Sequence, residues 1–194
     1  MSLQVAFKEW AVIVEALLLG KQAIILRKGG IADPDGLFRP EHPRFWLYPT
    51  YVHQQETGIE PQALDSLRES LAEVPPAHEI HFRAYAEVTT VCHLAEESQL
   101  DLLGGLHIWS PETVRMRFHY RRPGLFVLLV RIYQLATPII VPVMPEYDGC
   151  KTWVELAMPL DTTGAQPVMD DMAYAQVGEE LGRRLGGLPK SSNA

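Results

Sequence analysis

The sequence predicts an α+β fold: a mixed or antiparallel sheet built from hairpins, with three or four packed helices. Three observations carry this. Glu79 to Val88 alternates strictly, with Ile80, Phe82, Ala84, Ala86 and Val88 opposite Glu79, His81, Arg83, Tyr85 and Glu87, the period of a half-buried strand. Pro61 to Val74 places Leu64, Leu67 and Leu71 at three- and four-residue spacing behind an early proline, the pattern of a helix. Strand and helix patterns follow one another without a regular βαβ alternation, which favours α+β over a parallel doubly wound sheet.

The remaining elements follow in chain order. Val12 to Leu19 is a β-branched and aliphatic run, followed by Gly20-Lys21 and then by Ala23 to Leu26. Glycine at the first central position of a two-residue loop suits a type II′ turn, so Ala11–Leu19 and Gln22–Lys28 are expected to pair as a hairpin. A helix from Ala6 to Leu19, with Phe7, Trp10, Val14 and Leu17 on one face, is the competing assignment. Gly29 to Pro43 is rich in glycine and proline and reads as a loop. Phe45–Tyr48 is a short strand closed by Pro49, and Glu96–Leu103 a helix ended by Gly104-Gly105. Val114–Tyr120 alternates and is expected to be a strand, with Arg115, Arg117 and His119 on one face. Arg122-Pro123-Gly124-Leu125 has the proline and glycine placement of a type II turn. Phe126–Tyr133 is an almost continuous apolar run, hence a central strand with Arg131 embedded in it. Ile139–Val143 and Trp153–Met158 add strands, and Asp170–Leu185 is a closing helix.

Composition narrows the class. With 194 residues, 47% hydrophobic and 21% charged, the chain is too apolar to be disordered. It is long enough to bury a core without disulfide staples. One domain is expected over residues 1–185, with a flexible tail at 186–194. The apolar runs are interrupted by Glu15, Lys21 and Arg131, so no membrane span is expected. No basic, apolar and small-residue leader is read at the start, which makes the cytoplasm the expected location and Cys92 and Cys150 reduced thiols.

The net charge of −7 is unevenly spread. Residues 59–112 hold two basic and ten acidic side chains, whereas residues 113–150 hold five basic and two acidic. Thr113 to Pro145 contains no acidic residue at all. Whole-chain charge argues against indiscriminate polyanion binding, and the acid-free segment leaves room for one local anion site.

Phosphate-loop, dinucleotide, hydrolase-elbow and zinc motifs are absent, and so is an acid two positions before any lysine. Arginine forks suit phosphates and carboxylates, so Arg115 and Arg117 are candidate anion ligands, with Arg121 and Arg122 at the turn that follows them and Tyr120 and Tyr133 available for stacking. Cross-strand pairing of those arginines with Glu79 and Glu87 is the structural alternative. Arg131, in an apolar strand, needs a partner, and Glu15 is the expected one. The seven histidines are scattered, and no metal site is expected. Glu60, Glu69 and Glu73, around Arg68, echo part of a Nudix helix, whose carboxylates hold Mg²⁺ against a diphosphate. Gln54, Ala72 and Pro75 depart from that pattern, and a solvated acidic helix face has the same spacing.

Five segments together, EALLLGKQAIILRKGGI, FWLYPTYVHQ, LHIWSPETV, LLVRIYQLATP and PEYDGCKTWVEL, resemble the domain of unknown function 1802 family, a prokaryotic family common in cyanobacteria. The likeness runs from about Phe7 to Met158 and highlights Glu15, Arg27, Lys28, His53, Trp109, Arg131, Tyr133, Cys150, Lys151 and Trp153. It implies no established activity. An association of the family with a restriction-enzyme subunit domain implies a restriction–modification-like setting. Taken together, these features predict an accessory domain that binds nucleic acid or a nucleotide through Arg27, Lys28, His53, Arg115, Arg117, Arg131 and Lys151. A degenerate Nudix-like hydrolase on Glu60, Glu69 and Glu73, with Mg²⁺ as its cofactor, and a plain protein-interaction module around Ile139–Met144 are the alternatives.

Overall fold

Two long antiparallel strands carry the architecture of the computed structural model, which describes residues 1–28, 42–149 and 152–187. In chain order these are β1 (Ser2–Trp10), α1 (Ala11–Leu18), β2 (Ile24–Arg27), β3 (Arg44–Thr50), α2 (Leu64–Ala72), β4 (Glu79–Leu94), α3 (Pro111–His119), β5 (Leu125–Pro142), β6 (Trp153–Asp161), β7 (Gln166–Pro167) and α4 (Asp171–Leu185). The sheet runs β2-β5-β4-β3-β1-β6, with β7 on the same edge of β5 as β2. β1 and β3 pair in parallel, Ala6 opposite Trp46, and the other pairs are antiparallel. The fold is therefore α+β with a mixed sheet.

β4 and β5 pair from Glu79–Pro142 to Leu94–Leu125, with register shifts between Phe82 and Ala84 and between Val88 and Thr90. Such irregularities bend a strand and sharpen its twist, and they separate two cores. The larger gathers Phe7, Phe45, Leu47, Trp109, Val127 to Val130 and the buried faces of α1 and α3. The smaller holds Ala6, Trp46, Ile80, Phe82, Tyr147, Val154 and Leu156 on the other side of the sheet.

The segment expected as the first hairpin strand is instead α1. Seven of its eight residues are buried, Glu15 being the exception. A helix buried on all sides carries no 3.6-residue period, and its apolar run imitates a central strand. Gly20 is then not a hairpin residue but the left-handed C-terminal stop, at φ +65°. The Gly20 amide donates to the Leu17 carbonyl at 3.2 Å and the Lys21 amide to Ala16 at 2.9 Å, a Schellman closure. The start of α1 has no local cap; the Gln54 side chain, from beyond β3, accepts the Val12 amide at 2.8 Å.

The second correction is α3, expected as a strand. Ser110 accepts the Thr113 amide and Pro111 occupies the first turn, a helix-start signature. Val114 and Phe118, four apart, are buried, while Met116 and Tyr120 are 66% and 58% exposed. Glu97–Leu103 is a 3₁₀ rather than an α-helix, with a capping box between Glu96 and Gln99. Pro61–Ala72, Phe45–Tyr48, Glu79–Val88, Phe126–Tyr133, Trp153–Met158 and the closing helix form as expected, and Ile139–Val143 is largely a continuation of β5. Most of the 29–43 loop, Cys150, Lys151 and most of the tail lie outside the described residues.

Gly20→Ala should cost about 1–2 kcal/mol, because a Cβ disfavours the left-handed conformation, although Met169 and Val168 leave it ordinary contact room. A fall in the urea midpoint with unchanged m-value checks this.

Candidate functional site

The sequence-predicted cations do not form one surface. On a helix, residues two apart point to different sides, so α3 divides them. Arg115 turns to Glu97 (3.7 Å) and Asp101 (3.5 Å), and His119 to Glu97 (2.9 Å). Arg117 turns inward, its guanidinium 3.7 Å from the Trp109 ring centroid and donating to the Leu26 carbonyl at 3.3 Å. There it interacts electrostatically with Glu9, a buried carboxyl at the end of β1 that accepts the Trp10 amide at 2.8 Å. Burial pushes the Glu9 carboxyl up, opposed by Arg117, the Trp10 amide and Arg27. Burial pulls the Arg117 guanidinium down, opposed by Glu9. His107 completes this buried group: desolvation first, then Arg117, push it down to about 4. Its neutral ring accepts the Trp109 amide at Nδ1, 3.1 Å. Arg27 lies over Phe7 (4.8 Å) and Trp153 (5.3 Å). Arg117 and Arg27 therefore meet around Glu9 as a packed charge network.

Arg131 pairs with Asp171 of α4, not with Glu15, and lies over the rings of Tyr133 and Tyr174. Glu87 stands opposite both Arg44 and Arg131 in the sheet register, and Arg44 binds it at 3.0 Å. In the next row Tyr85 and Tyr133 stack at 4.9 Å with 9° between their planes. This face holds cations and aromatics, but its arginines are neutralised by Glu87 and Asp171. His53 is exposed, at φ +75° in the loop after β3. Lys151 lies outside the described residues.

One cationic patch does remain, where α3 gives way to β5. Lys28 donates to the carbonyls of Phe118 (2.5 Å), Gly124 (2.7 Å) and Arg122. These interactions close the C-terminal end of α3, the negative end of the helix dipole. Arg121 and Arg122 are exposed on the following turn, Arg121 lying 5.2 Å from the ring centroid of exposed Tyr120. Neither arginine has a carboxylate partner among the described residues. Burial and then Arg122 lower Lys28, and burial, Lys28 and Arg122 lower His93. His93 packs on Phe126 at 4.5 Å. A β-carbon at Gly124 would stand 2.8 Å from its Nε2, so glycine admits the ring.

A cavity of about 360 Å³ opens elsewhere, between α1, α2, β3 and β4, with Glu15, Tyr51, Glu69, Glu73, His81 and Arg83 among its walls. Glu15 and Arg83 form an ion pair in its wall. Burial raises the Glu15 carboxyl, Arg83 opposes this, and Glu73 adds to the rise. Glu60 is not in this wall; its carboxylate meets Gln62. The three candidate Nudix carboxylates are thus not brought together, and no group of three or more His, Cys, Asp or Glu among the described residues is placed to hold a metal ion. Ile140, at the proposed interaction segment, is 57% exposed, whereas Ile139, Val141, Val143 and Met144 pack on the smaller core. No helix among the described residues is long and apolar enough to cross a membrane.

The chain belongs to the family described as Domain of unknown function (DUF1802), whose model matches residues 6–180. No curated protein matches its sequence. Among solved structures it is similar to ASCH from Zymomonas mobilis, at TM-score 0.45 and 11% identity over 96% of each chain. It is also similar to a single-substitution variant of that protein, at TM-score 0.46 and 12% identity over 78% of this chain and 87% of the other.

Two predictions follow from the buried charge network. Arg117→Met should cost about 3–5 kcal/mol by stranding Glu9 without its main counter-charge, and Glu9→Gln in the same chain should restore part of it in denaturant titrations. His107 takes up its proton near pH 6.5 when unfolded and near 4 when folded. Stability should therefore fall by about 3 kcal/mol as pH drops through that window, and His107→Gln should flatten the dependence of the unfolding midpoint on pH.

Proposed function

We propose that this domain binds nucleic acid, through the turn between α3 and β5 that carries Tyr120, Arg121 and Arg122 above Lys28 and His93. The observation that carries the reading is the uncompensated charge of this turn. Elsewhere the arginines of the acid-free segment are matched by Glu97, Asp101, Asp171 or Glu9, whereas Arg121 and Arg122 face solvent without a carboxylate partner among the described residues. Lys28 and His93 are held below their ordinary values first by burial and then by repulsion from neighbouring cations, Arg122 for Lys28 and both Lys28 and Arg122 for His93. A phosphate oxygen relieves that repulsion, because anions favour the protonated forms. Arg forks bind phosphates in pairs of parallel hydrogen bonds.

Exposed Tyr120 adds a surface on which an unpaired base can stack. The patch is a narrow turn rather than a helix shaped for a groove, so it suits a single strand or a loop over a duplex. The −7 net charge repels extended polyanions elsewhere on the surface, which limits the footprint to a few nucleotides. The reading needs no metal and assigns no bond-breaking step. The restriction–modification-like setting implied by the family resemblance supplies a context in which such a module would accompany a catalytic partner.

Fluorescence anisotropy with a labelled single-stranded RNA 12-mer tests the reading. Affinity should fall steeply between 50 and 200 mM salt. Arg121→Ala with Arg122→Ala should weaken binding at least tenfold and reduce the slope of log K against log salt by about 1.4, two phosphate contacts at about 0.7 each on a single strand. Binding unaltered by the double substitution, or no binding at 50 mM salt, overturns the reading.

A further inference from the structure

The cavity between α1, α2, β3 and β4 plays no part in the nucleic-acid reading and has the opposite electrostatic character. Its floor is apolar, made by Val14 of α1 and Leu47 and Pro49 of β3. Its polar groups stand on two sides. On one side Glu15 and Arg83 cancel each other, and His81, at 2.9 Å from Glu79, has its own carboxylate. On the other side Glu69 and Glu73 are exposed, four residues apart on and just after α2, with no cation paired to either among the described residues. Lys21 is a further cation near this wall. It reaches Ser66, on the same wall, at 3.5 Å from an exposed turn, without meeting a carboxylate. Arg68 points away, to Glu56 and Asp65. The cavity therefore joins a hydrocarbon floor and the Tyr51 ring to a rim with excess negative charge. At about 360 Å³ it lies within the size range of small-molecule sites.

We infer that this cleft is a binding site for a small organic cation, its ammonium or guanidinium head between Glu69 and Glu73 and its hydrocarbon portion on Val14, Leu47, Pro49 and Tyr51. Each part of the ligand answers a feature of the wall. A phosphate or carboxylate ligand is disfavoured, because the one arginine is already matched by Glu15 and two further carboxylates surround the entrance. A bare divalent ion is disfavoured as well, since among the described residues no third carboxylate or histidine joins the pair in ligating arrangement. A cation with an apolar body gains charge-assisted hydrogen bonds at the rim, buries hydrocarbon against the floor, and offsets the repulsion between Glu73 and Glu15.

Agmatine and putrescine are the probes, titrated into the full chain by isothermal calorimetry with thermal unfolding in parallel. Saturable agmatine binding that raises Tm is expected, with Glu69→Gln plus Glu73→Gln weakening it at least tenfold while the variant keeps its Tm in the absence of ligand. Glu73→Lys, which places an ammonium at the rim, should abolish binding. Inorganic phosphate, ADP and Mg²⁺ should not displace agmatine. Absence of agmatine and putrescine binding by the folded wild-type chain, affinity indifferent to both sets of variants, or displacement by phosphate or Mg²⁺ overturns the inference. Arg121→Ala with Arg122→Ala should leave agmatine affinity unchanged, so this site and the nucleic-acid patch fail separately.

Discussion

The long pairing of β4 with β5 is the constraint on which the rest of the molecule depends. Its ladder runs the full length of β4 and is broken twice by register shifts. A flat sheet of this length would expose one apolar face. The shifts bend it, so the halves of the two strands serve different cores: Val127 to Val130 join the larger core, while Ile80, Phe82, Ile139 and Val141 close over Trp46 and Val154. Every other strand attaches through this ladder. β3 lies along one side of it and, through β3, β1 and β6; β2 and β7 share the far edge of β5 at separate points. Both proposed surfaces take their positions from this ladder. The cationic turn feeds into Leu125, where the ladder finishes, and Arg83 of the cavity sits at the first shift, between Phe82 and Ala84.

What the sequence made legible divides along physical lines. Glu79–Val88 was readable because one side of β4 faces a core and the other does not, so the pleat is printed as alternation. The α2 segment was readable because it is amphipathic. α1 was not, because Val12, Ile13 and Val14 are buried on all sides and leave no period to detect. Its N-terminal cap comes from Gln54, 42 positions away, a signal that no local window contains. α3 misled in the opposite way: Val114, Met116, Phe118 and Tyr120 alternate with charged residues, yet only Val114 and Phe118 are buried. The helix-start residues Ser110 and Pro111 were present and outweigh that alternation, because capping and a proline-set φ act on the backbone directly.

The candidate site changed for the same reason. As a strand, Arg115, Arg117 and His119 would share a surface; as a helix they are sent to a 3₁₀ turn, into the core and back to the same Glu97. Arg117 illustrates how a cation that looks functional in sequence becomes structural. Its aromatic platform, Trp109, and its counter-charge, Glu9, come from segments about 8 and 108 positions away, and neither is adjacent in any pattern. Arg131 found a partner as expected of a half-buried arginine, but Asp171 supplies it because β7 and α4 return along β5, while Glu15 is taken by Arg83. The uncompensated charge was left to the residues immediately after α3, within the acid-free segment but two positions beyond the expected triad.

That redistribution gives the −7 charge of the chain a spatial meaning. The acidic middle of the sequence contributes Glu69 and Glu73 to the cavity rim, and it also contributes Glu97 and Asp101, which consume Arg115 and His119. The acid-free segment keeps a surplus of cations only at Arg121 and Arg122, beside Lys28. Two sites of opposite sign on one small protein generate a field that is dipolar at short range even though the net charge is negative. A polyanion approaching such a surface is repelled over most orientations and attracted over one. In the proposed binding, orientation is then selected before contact, by the same charges that limit the footprint after it, and an excess of acid elsewhere would contribute to the discrimination of a two-arginine turn rather than oppose its binding.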